Sequence, residues 1–328
     1  MKLKTYDLPS DVLKMIEENL QGKKLADLSQ NSTDLSRRYR CESGTGKSLL
    51  SRENEAWVYA AVRMPATFAA VTKALNETLD NLSSFPKSVL DVGAGTGAAA
   101  WAVDGLLNLS HITCWEREKA MANVGQTLMK NSSSVVLQKA LWKNVDITTL
   151  SEAQSEKFDL ILVSYCLNEL YEQTRLQVIS RLWNMTEKVL LVIEPGTSVG
   201  YQNLMQIRND LIDKGAFIAA PCPHNLACPL KQGDWCHFSA RLNRTKLHKN
   251  IKNASMGRED EKFCYMAFTK EKILAPCSRI IRPPRLEKYG LMLQLCAKEG
   301  LKNLLIPKKN DDYAVARKKE WGNVWNDE

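Results

Sequence analysis

Residues 87–103, KSVLDVGAGTGAAAWAV, set three alternating glycines directly after a short apolar run and directly before an alanine-rich stretch. Glycine lets the backbone turn tightly and approach a ligand with no Cβ in the way, and the helix that follows offers free N–H groups. A strand, a glycine turn and a helix in that order form the entry to a doubly wound α/β sheet. The downstream texture agrees. HITCWERE, SSVVLQKAL, FDLILVSYCL and KVLLVIEPG read as four more strands separated by helix-length segments, with a helix at about 199–214. AFIAAPCP and EKFCYMAFTK read as a sixth and a seventh strand. Strands alternating with helices imply a parallel sheet with ligands at the strand C-terminal ends.

The loop residues narrow the ligand. Asp91 precedes Gly93, Gly95 and Gly97, and Glu116 closes the next strand 23 residues after Gly93. A carboxylate there can accept both ribose hydroxyls of a nucleoside. The dinucleotide fingerprint needs glycine at position 98, where Ala98 stands. The pattern acid-x-Gly-x-Gly-x-Gly is the one S-adenosylmethionine methyltransferases use, with Asp91 turned toward the loop and the methionine end. S-adenosylmethionine is therefore the expected cofactor, held by Asp91, Gly93, Gly95, Gly97 and Glu116. A second glycine-rich stretch, GTGKS at 44–48, is not a P-loop: Cys41 stands where the motif needs glycine, and no strand precedes it.

No catalytic residue is assigned. After the fourth strand comes SYCLNEL, which lacks the Asn/Asp-Pro-Pro-aromatic motif of amine methyltransferases acting on bases. It also lacks the Pro-Cys nucleophile of cytosine C5 enzymes, because Cys166 sits in Tyr-Cys-Leu. Asn168 and Glu169 read as helix-start capping and surface residues, with polar substrate contacts as the alternative.

A different chemistry follows at 221–238, PCPHNLACPLKQGDWCHF, where Cys222, Cys228 and Cys236 are spaced C-x5-C-x7-C. Thiolates bind zinc or iron–sulfur clusters, normally through four ligands. Pro221, Pro223 and Pro229 stiffen the segment and lower the entropy cost of gathering those ligands. Within the stretch, His224 and His237 fit zinc as a fourth ligand; farther along, Cys277 in a loop and Cys296 at the end of the strand LMLQLC compete for the place. Cys264, flanked by Phe263 and Tyr265 in an apparent strand, reads as a core residue. The radical signature C-x3-C-x2-C is absent, so the cysteines and the cofactor are not expected to form one reductive centre.

Composition bears on partners and compartment. Of the net charge of +8, residues 201–328 contribute 23 Lys and Arg against 14 Asp and Glu, while residues 1–200 are almost balanced. Residues 236–319 hold 20 cations against 8 acids, including Arg241, Arg244, Lys246, Lys249, Arg279, Arg282 and Arg285. Such a strip suits a polyanion. No apolar run approaches the roughly 20 residues of a membrane helix, so no membrane partner is expected. The first residues have no apolar signal core and carry early acids, so a cytosolic, unprocessed chain is expected. Nine cysteines, an odd number, then point to metal binding or burial rather than a disulfide framework.

The expected organisation is a helical region at 1–85 with a break at Pro65, a Rossmann-like cofactor domain at 86–220 and a cysteine-rich metal-binding insertion at 221–260. A last sheet strand and a small, basic, β-rich C-terminal extension at 261–328 complete it, the extension carrying RIIRPPR, GLMLQLCAKEG and LKNLLIPKK.

The blocks LSRRYR, RMPATFAAV, LDVGAGTG, LNEL, IEPGT, APCPH, CPL, DWCHFSARLNR, EKFCYMAF, RIIRPPR and YAVARKKEWGNVW occur in this order across nearly the whole chain. Together they resemble the methyltransferase-like (Rsm-type) proteins of the mitochondrial small ribosomal subunit and their bacterial relatives. The resemblance implies a class I methyltransferase fold, S-adenosylmethionine binding and a role in small-subunit assembly on rRNA, with no DNA partner. It also implies a [4Fe–4S] cluster on four cysteines. The fourth lies in a late strand after the Pro-Pro-Arg block, which gives Cys222, Cys228, Cys236 and Cys296, with zinc as the alternative metal. The start of the chain resembles the shorter bacterial type, implying bacterial cytoplasm, with the mitochondrial matrix as the alternative. The expected function is an assembly factor that keeps the cofactor fold. The alternatives are an active rRNA methyltransferase and a zinc-containing or redox- or iron-sensing RNA-binding protein.

Overall fold

A computed structural model describes residues 4–41, 50, 52–150, 156–274 and 276–326. GTGKS lies outside the described residues. Four helices lead: α1 (Ser10–Leu20), α2 (Leu25–Cys41), α3 (Glu53–Val62) and α4 (Met64–Leu79). Pro65 lies in the first turn of α4, where its missing N–H leaves no bond unmade, so the break falls at Arg63 between α3 and α4.

The central sheet follows as β1 (Ser88–Val92), α5 (Ala98–Asp104), β2 (His111–Trp115), α6 (Lys119–Lys130), α7 (Val135–Gln138), β3 (Leu141–Lys143) and β4 (Phe158–Ser164). It continues through α8 (Glu172–Met185), β5 (Thr186–Pro195), α9 (Ser198–Asp213), β6 (Phe217–Ala220), β7 (Phe238–Asn243), α10 (Lys246–Ile251) and β8 (Arg258–Thr269). The strand order is β3-β2-β1-β4-β5-β8-β6, with β7 also paired to β8. The first five strands are parallel, and β8 runs antiparallel to β5, β6 and β7.

Side chains alternate across the sheet with period two. Val89, Leu160, Leu162 and Leu191 face the core shared with α3 to α6, while Leu90, Ile161, Val163 and Leu190 face the core under α8 and α9. Both faces are covered, so these strands read as unbroken apolar runs rather than as alternation. Two expectations are corrected. SSVVLQKAL is not a strand throughout: Ser134 accepts a hydrogen bond from the Leu137 N–H and starts the helical turn α7, leaving only β3 as strand. The insertion expected over 221–260 is also not separate from the sheet, because its far end returns as β7 and lengthens the sheet along β8.

The C-terminal part forms a second sheet from β9 (Ser278–Ile280), β10 (Arg285–Leu286), β11 (Gly290–Ala297), β12 (Gly300–Pro307) and β13 (Val324–Trp325), with a short helix α11 (Tyr313–Ala316). Its pairs are antiparallel, and it has its own small core of Leu291, Leu293, Leu295, Ile306 and Trp325.

One buried side chain fastens the pieces. Arg279 of β9 is fully buried and pairs with the Glu77 carboxylate of α4. It also donates to the carbonyls of Pro221 and Gly322, each at 2.8 Å. Asn323 donates to the other Glu77 oxygen at 2.7 Å. Removing one partner of a buried pair leaves the other charge uncompensated. Arg279→Met is therefore expected to cost about 3–5 kcal/mol of stability, read as a lower urea midpoint. Arg285→Met, at an exposed position, should leave the midpoint unchanged.

Candidate functional site

β1 carries Asp91 into the glycine turn, where Gly93, Gly95 and Gly97 all hold left-handed backbone, with φ of +66°, +56° and +87°. Gly93 is required twice over. Beyond its φ, an added Cβ would lie 2.8 Å from Cys166 Cβ and 2.9 Å from its Sγ, because the exit of β4 packs against the turn. Asp91 is fully buried; its Oδ2 accepts from the Ala100 N–H at 3.2 Å, while Oδ1 has no partner. Burial pushes its carboxyl up to about 7. Glu116, at the end of β2, accepts from the Gly95 N–H and the Glu118 N–H, each at 2.7 Å. Burial raises its carboxyl too, against those two hydrogen bonds. The structure thus brings Asp91, Gly93, Gly95, Gly97 and Glu116 together at the C-terminal ends of β1 and β2.

Asn168 and Glu169 neither cap a helix nor lie on open surface, which corrects the expectation for them. They sit half-buried in a 3₁₀ turn, Leu167–Glu169, with no side-chain cap. Burial raises the Glu169 carboxyl to about 7, opposed by Arg117 and reinforced by Glu116. Sequence reasoning missed Glu194. It is fully buried at the end of β5, inside IEPGT, and burial raises it to about 8, against the Asn203 side chain and Arg175. The available signal was an acid directly ending the apolar run KVLLVI.

The cysteine segment begins where β6 ends. Cys222, Cys228, Cys236 and Cys296 line one cavity of about 40 Å³, together with Cys264. Cys296 reaches it from β11, paired with Arg279 of β9. Helix α9 grips the segment. The Tyr201 hydroxyl donates to Cys228 Sγ at 3.3 Å, and Arg208 donates to the carbonyls of Leu226 at 2.5 Å and His224 at 3.3 Å. Cys264 Sγ donates to the Cys236 carbonyl at 3.1 Å, in keeping with a core role on β8. Among the described residues, no group of three or more His, Cys, Asp or Glu side chains is arranged to hold a metal ion. Burial raises the thiols of Cys222 and Cys236, and that of Cys296 to about 12. Beside them, Arg208 Nε and Arg279 Nη2 are buried without partners. Cys277 is exposed and does not line the cavity. Neither does either histidine; His237 stacks on Trp235 at 5.6 Å and meets Trp321 edge-on at 4.9 Å.

The basic strip is thinner than its count. Arg279 is no phosphate ligand, because it is buried against Glu77. Arg241 pairs with Asp260 at 2.6 Å, Arg244 with Glu259 at 3.0 Å and Arg282 with Asp234 at 2.5 Å. Lys246 and Arg285 are exposed.

A strand order of β3-β2-β1-β4-β5-β8-β6 with β8 reversed, and a glycine turn after β1, define a class I methyltransferase, Rossmann-like fold. The chain belongs to the family described as "Mitochondrial small ribosomal subunit Rsm22", whose profile matches residues 53–326. It is 27% identical over 290 residues to the human "Ribosome assembly protein METTL17, mitochondrial", covering 81% of this chain and 61% of that protein. It is 21% identical over 230 residues to "Rsm22-cox11 tandem protein 2, mitochondrial" of Schizosaccharomyces pombe, covering 55% of this chain and 30% of that protein. The chain thus spans less than two thirds of either relative. Among solved structures, the S-adenosylmethionine-bound magnesium protoporphyrin IX methyltransferase of Synechocystis PCC 6803 is 13% identical, with a TM-score of 0.42, over 80% of this chain and 99% of that one.

The buried acids predict a pH dependence of stability. Glu194 ordinarily titrates at 4.5 and is raised to about 8, so the folded state holds its proton over that window. The stability this supplies is complete below the lower value and is lost as pH rises through the upper one. Between pH 4.5 and about 8, wild type should lose stability relative to Glu194→Gln, as measured by urea midpoints across that range.

Proposed function

We propose that this chain is a small-subunit ribosome assembly factor that binds S-adenosylmethionine in a class I methyltransferase fold and holds a [4Fe–4S] cluster. The family match over residues 53–326 carries the assembly reading. The name of the human relative supports it, since that protein is a ribosome assembly protein. Both named relatives are mitochondrial proteins, which supports the mitochondrial alternative and lends nothing to the bacterial cytoplasm expected from the chain's first residues. In this reading residues 1–85 form the helical cover and 86–220 the cofactor domain. Residues 221–260 form the cluster insertion, and 261–328 the last sheet strand and the basic C-terminal extension.

Two sets of residues support this reading. Asp91 offers an unpartnered buried oxygen, Gly93, Gly95 and Gly97 offer close backbone approach, and Glu116 offers a carboxylate to the ribose. S-adenosylmethionine, when bound, supplies an electrophilic methyl group. In the second site Cys222, Cys228, Cys236 and Cys296 would be the ligands. A single zinc ion draws four sulfurs to roughly 2.3 Å from one point. A cubane is held from its corners, with its cysteines around a cavity, and these four cysteines line one cavity. Two buried guanidiniums with unsatisfied N–H groups, Arg208 and Arg279, suit an anionic occupant. Deprotonation of raised thiols on loading links cluster binding to pH and to folding. Of the seven cations named in the strip, the exposed Lys246 and Arg285 and the half-buried Lys249 remain to meet rRNA phosphate, beside exposed residues such as Lys298, Lys308 and Lys309.

Purified without oxygen, the chain should be brown and carry about four irons. Cys296→Ser should lose colour and iron, whereas Cys277→Ser should keep both. A colourless protein with one zinc would overturn the cluster. The assembly role is tested by co-sedimentation with isolated small subunits, expected to weaken steeply as salt rises. The second reading, active rRNA methylation, uses the same glycine turn, while the missing acceptor motif after β4 favours the first. It would show as one methyl group missing from rRNA when the protein is absent, restored by wild type but not by Asp91→Ala.

A further inference from the structure

A second cavity, of about 460 Å³, opens at the C-terminal ends of β4 and β5 under α2 and α3. That volume falls within the roughly 300–1,000 Å³ of small-molecule sites. It is distinct from the glycine turn: none of Asp91, Gly93, Gly95, Gly97 or Glu116 lines it. The two are neighbours across the exit of β4, where Cys166 packs on Gly93 while Tyr165 and Asn168 line the cavity. Burial raises the Tyr39 hydroxyl, and Tyr59, Glu169 and Glu116 raise it further.

The walls have a consistent chemistry. Tyr39 of α2, Tyr59 of α3 and Tyr165 supply aromatic rings, the first two 5.9 Å apart and tilted by 41°. Tyr165 holds φ of +58°, backbone that a bulky residue seldom adopts and that places its ring here rather than in the sheet's register. Asn168 lines the cavity with Oδ1 buried and unpartnered. Arg63 and Lys252 add positive charge. Arg63 pairs with Glu261, but Glu259 is shared among Lys252, Arg244 and His248. Arg63 and Lys252 are the two cations of the lining, and each stands beside one carboxylate.

We propose that this cavity receives one unpaired nucleotide of the RNA, its base against the tyrosine rings, its edge on Asn168 and its phosphate toward Lys252 and Arg63. Aromatic rings accept any base face, and single-stranded bases are the part of RNA that proteins take into pockets. The site rests on the reading of RNA as partner and adds to it where the chain would grip a single strand. It also sets the base beside the cofactor turn.

The test is equilibrium dialysis of the full chain against the four ribonucleoside 5′-monophosphates, with and without saturating S-adenosylmethionine. At least one monophosphate should bind, and the cofactor should not displace it. Tyr59→Ala should weaken binding about tenfold, in line with stacking losses per base. Tyr59→Phe should retain binding and carries the comparison if the alanine variant does not fold. Lys252→Gln should weaken the monophosphate and leave the nucleoside unchanged. Displacement by S-adenosylmethionine would assign the cavity to the cofactor and overturn the proposal. No monophosphate binding by a protein that still co-sediments with small subunits overturns the proposal alone. Loss of both overturns the assembly reading with it.

Discussion

The Arg279 guanidinium is the contact on which the arrangement of the chain depends. It sits in the C-terminal sheet, yet its partners are Glu77 on a helix before the central sheet, Pro221 at the start of the cysteine segment, and Gly322 near the tail. A charge buried this completely is tolerable only when every part of its surroundings is in place. The helical region, the central sheet and the second sheet are therefore committed to one relative position, and Cys296 on β11, next to β9, is committed with them.

That commitment makes the cysteine cavity possible. Cys222, Cys228 and Cys236 come from one loop, but the fourth wall comes from a separate sheet with a separate core. Helix α9 adds a second tie. Its residues Tyr201 and Arg208 hold the loop, and the turn just before it accepts a hydrogen bond from Trp235 Nε1 at Gly196, 3.1 Å away. The same β5–α9 turn follows Glu194 and carries Pro195 into the wall of the larger cavity. The cysteine segment and the ligand end of the sheet thus share one short piece of backbone.

Much of this was legible in the chain. Apolar runs bounded by glycine and proline give parallel strands buried on both faces, and a glycine turn after the first of them gives the ligand end. Asp91, Gly93, Gly95, Gly97 and Glu116 are near one another in a strand–turn–helix–strand unit, so local geometry alone assembles them. Where local rules competed, the reading slipped. SSVVLQKAL has β-branched residues, but Ser134 caps a turn there instead. Asn168 and Glu169 read as cap and surface because nothing in LNEL reveals that α2 and α3 close over the exit of β4.

What the sequence determined by itself was fold class, the parallel run of strands and the two kinds of chemistry, because periodicity and spacing act over a few residues. Tertiary structure decided which distant groups meet. Counting cations could not tell that Arg279 faces inward, since charge is read from composition and burial from packing. Cys296 and Cys277 were equivalent by spacing, and only the register of β11 against β9 puts one at the cavity while the other stays in solvent. Tyr39, Tyr59, Tyr165 and Lys252 are scattered over more than two hundred residues and form one wall only because helices from the start of the chain fold over the strand ends.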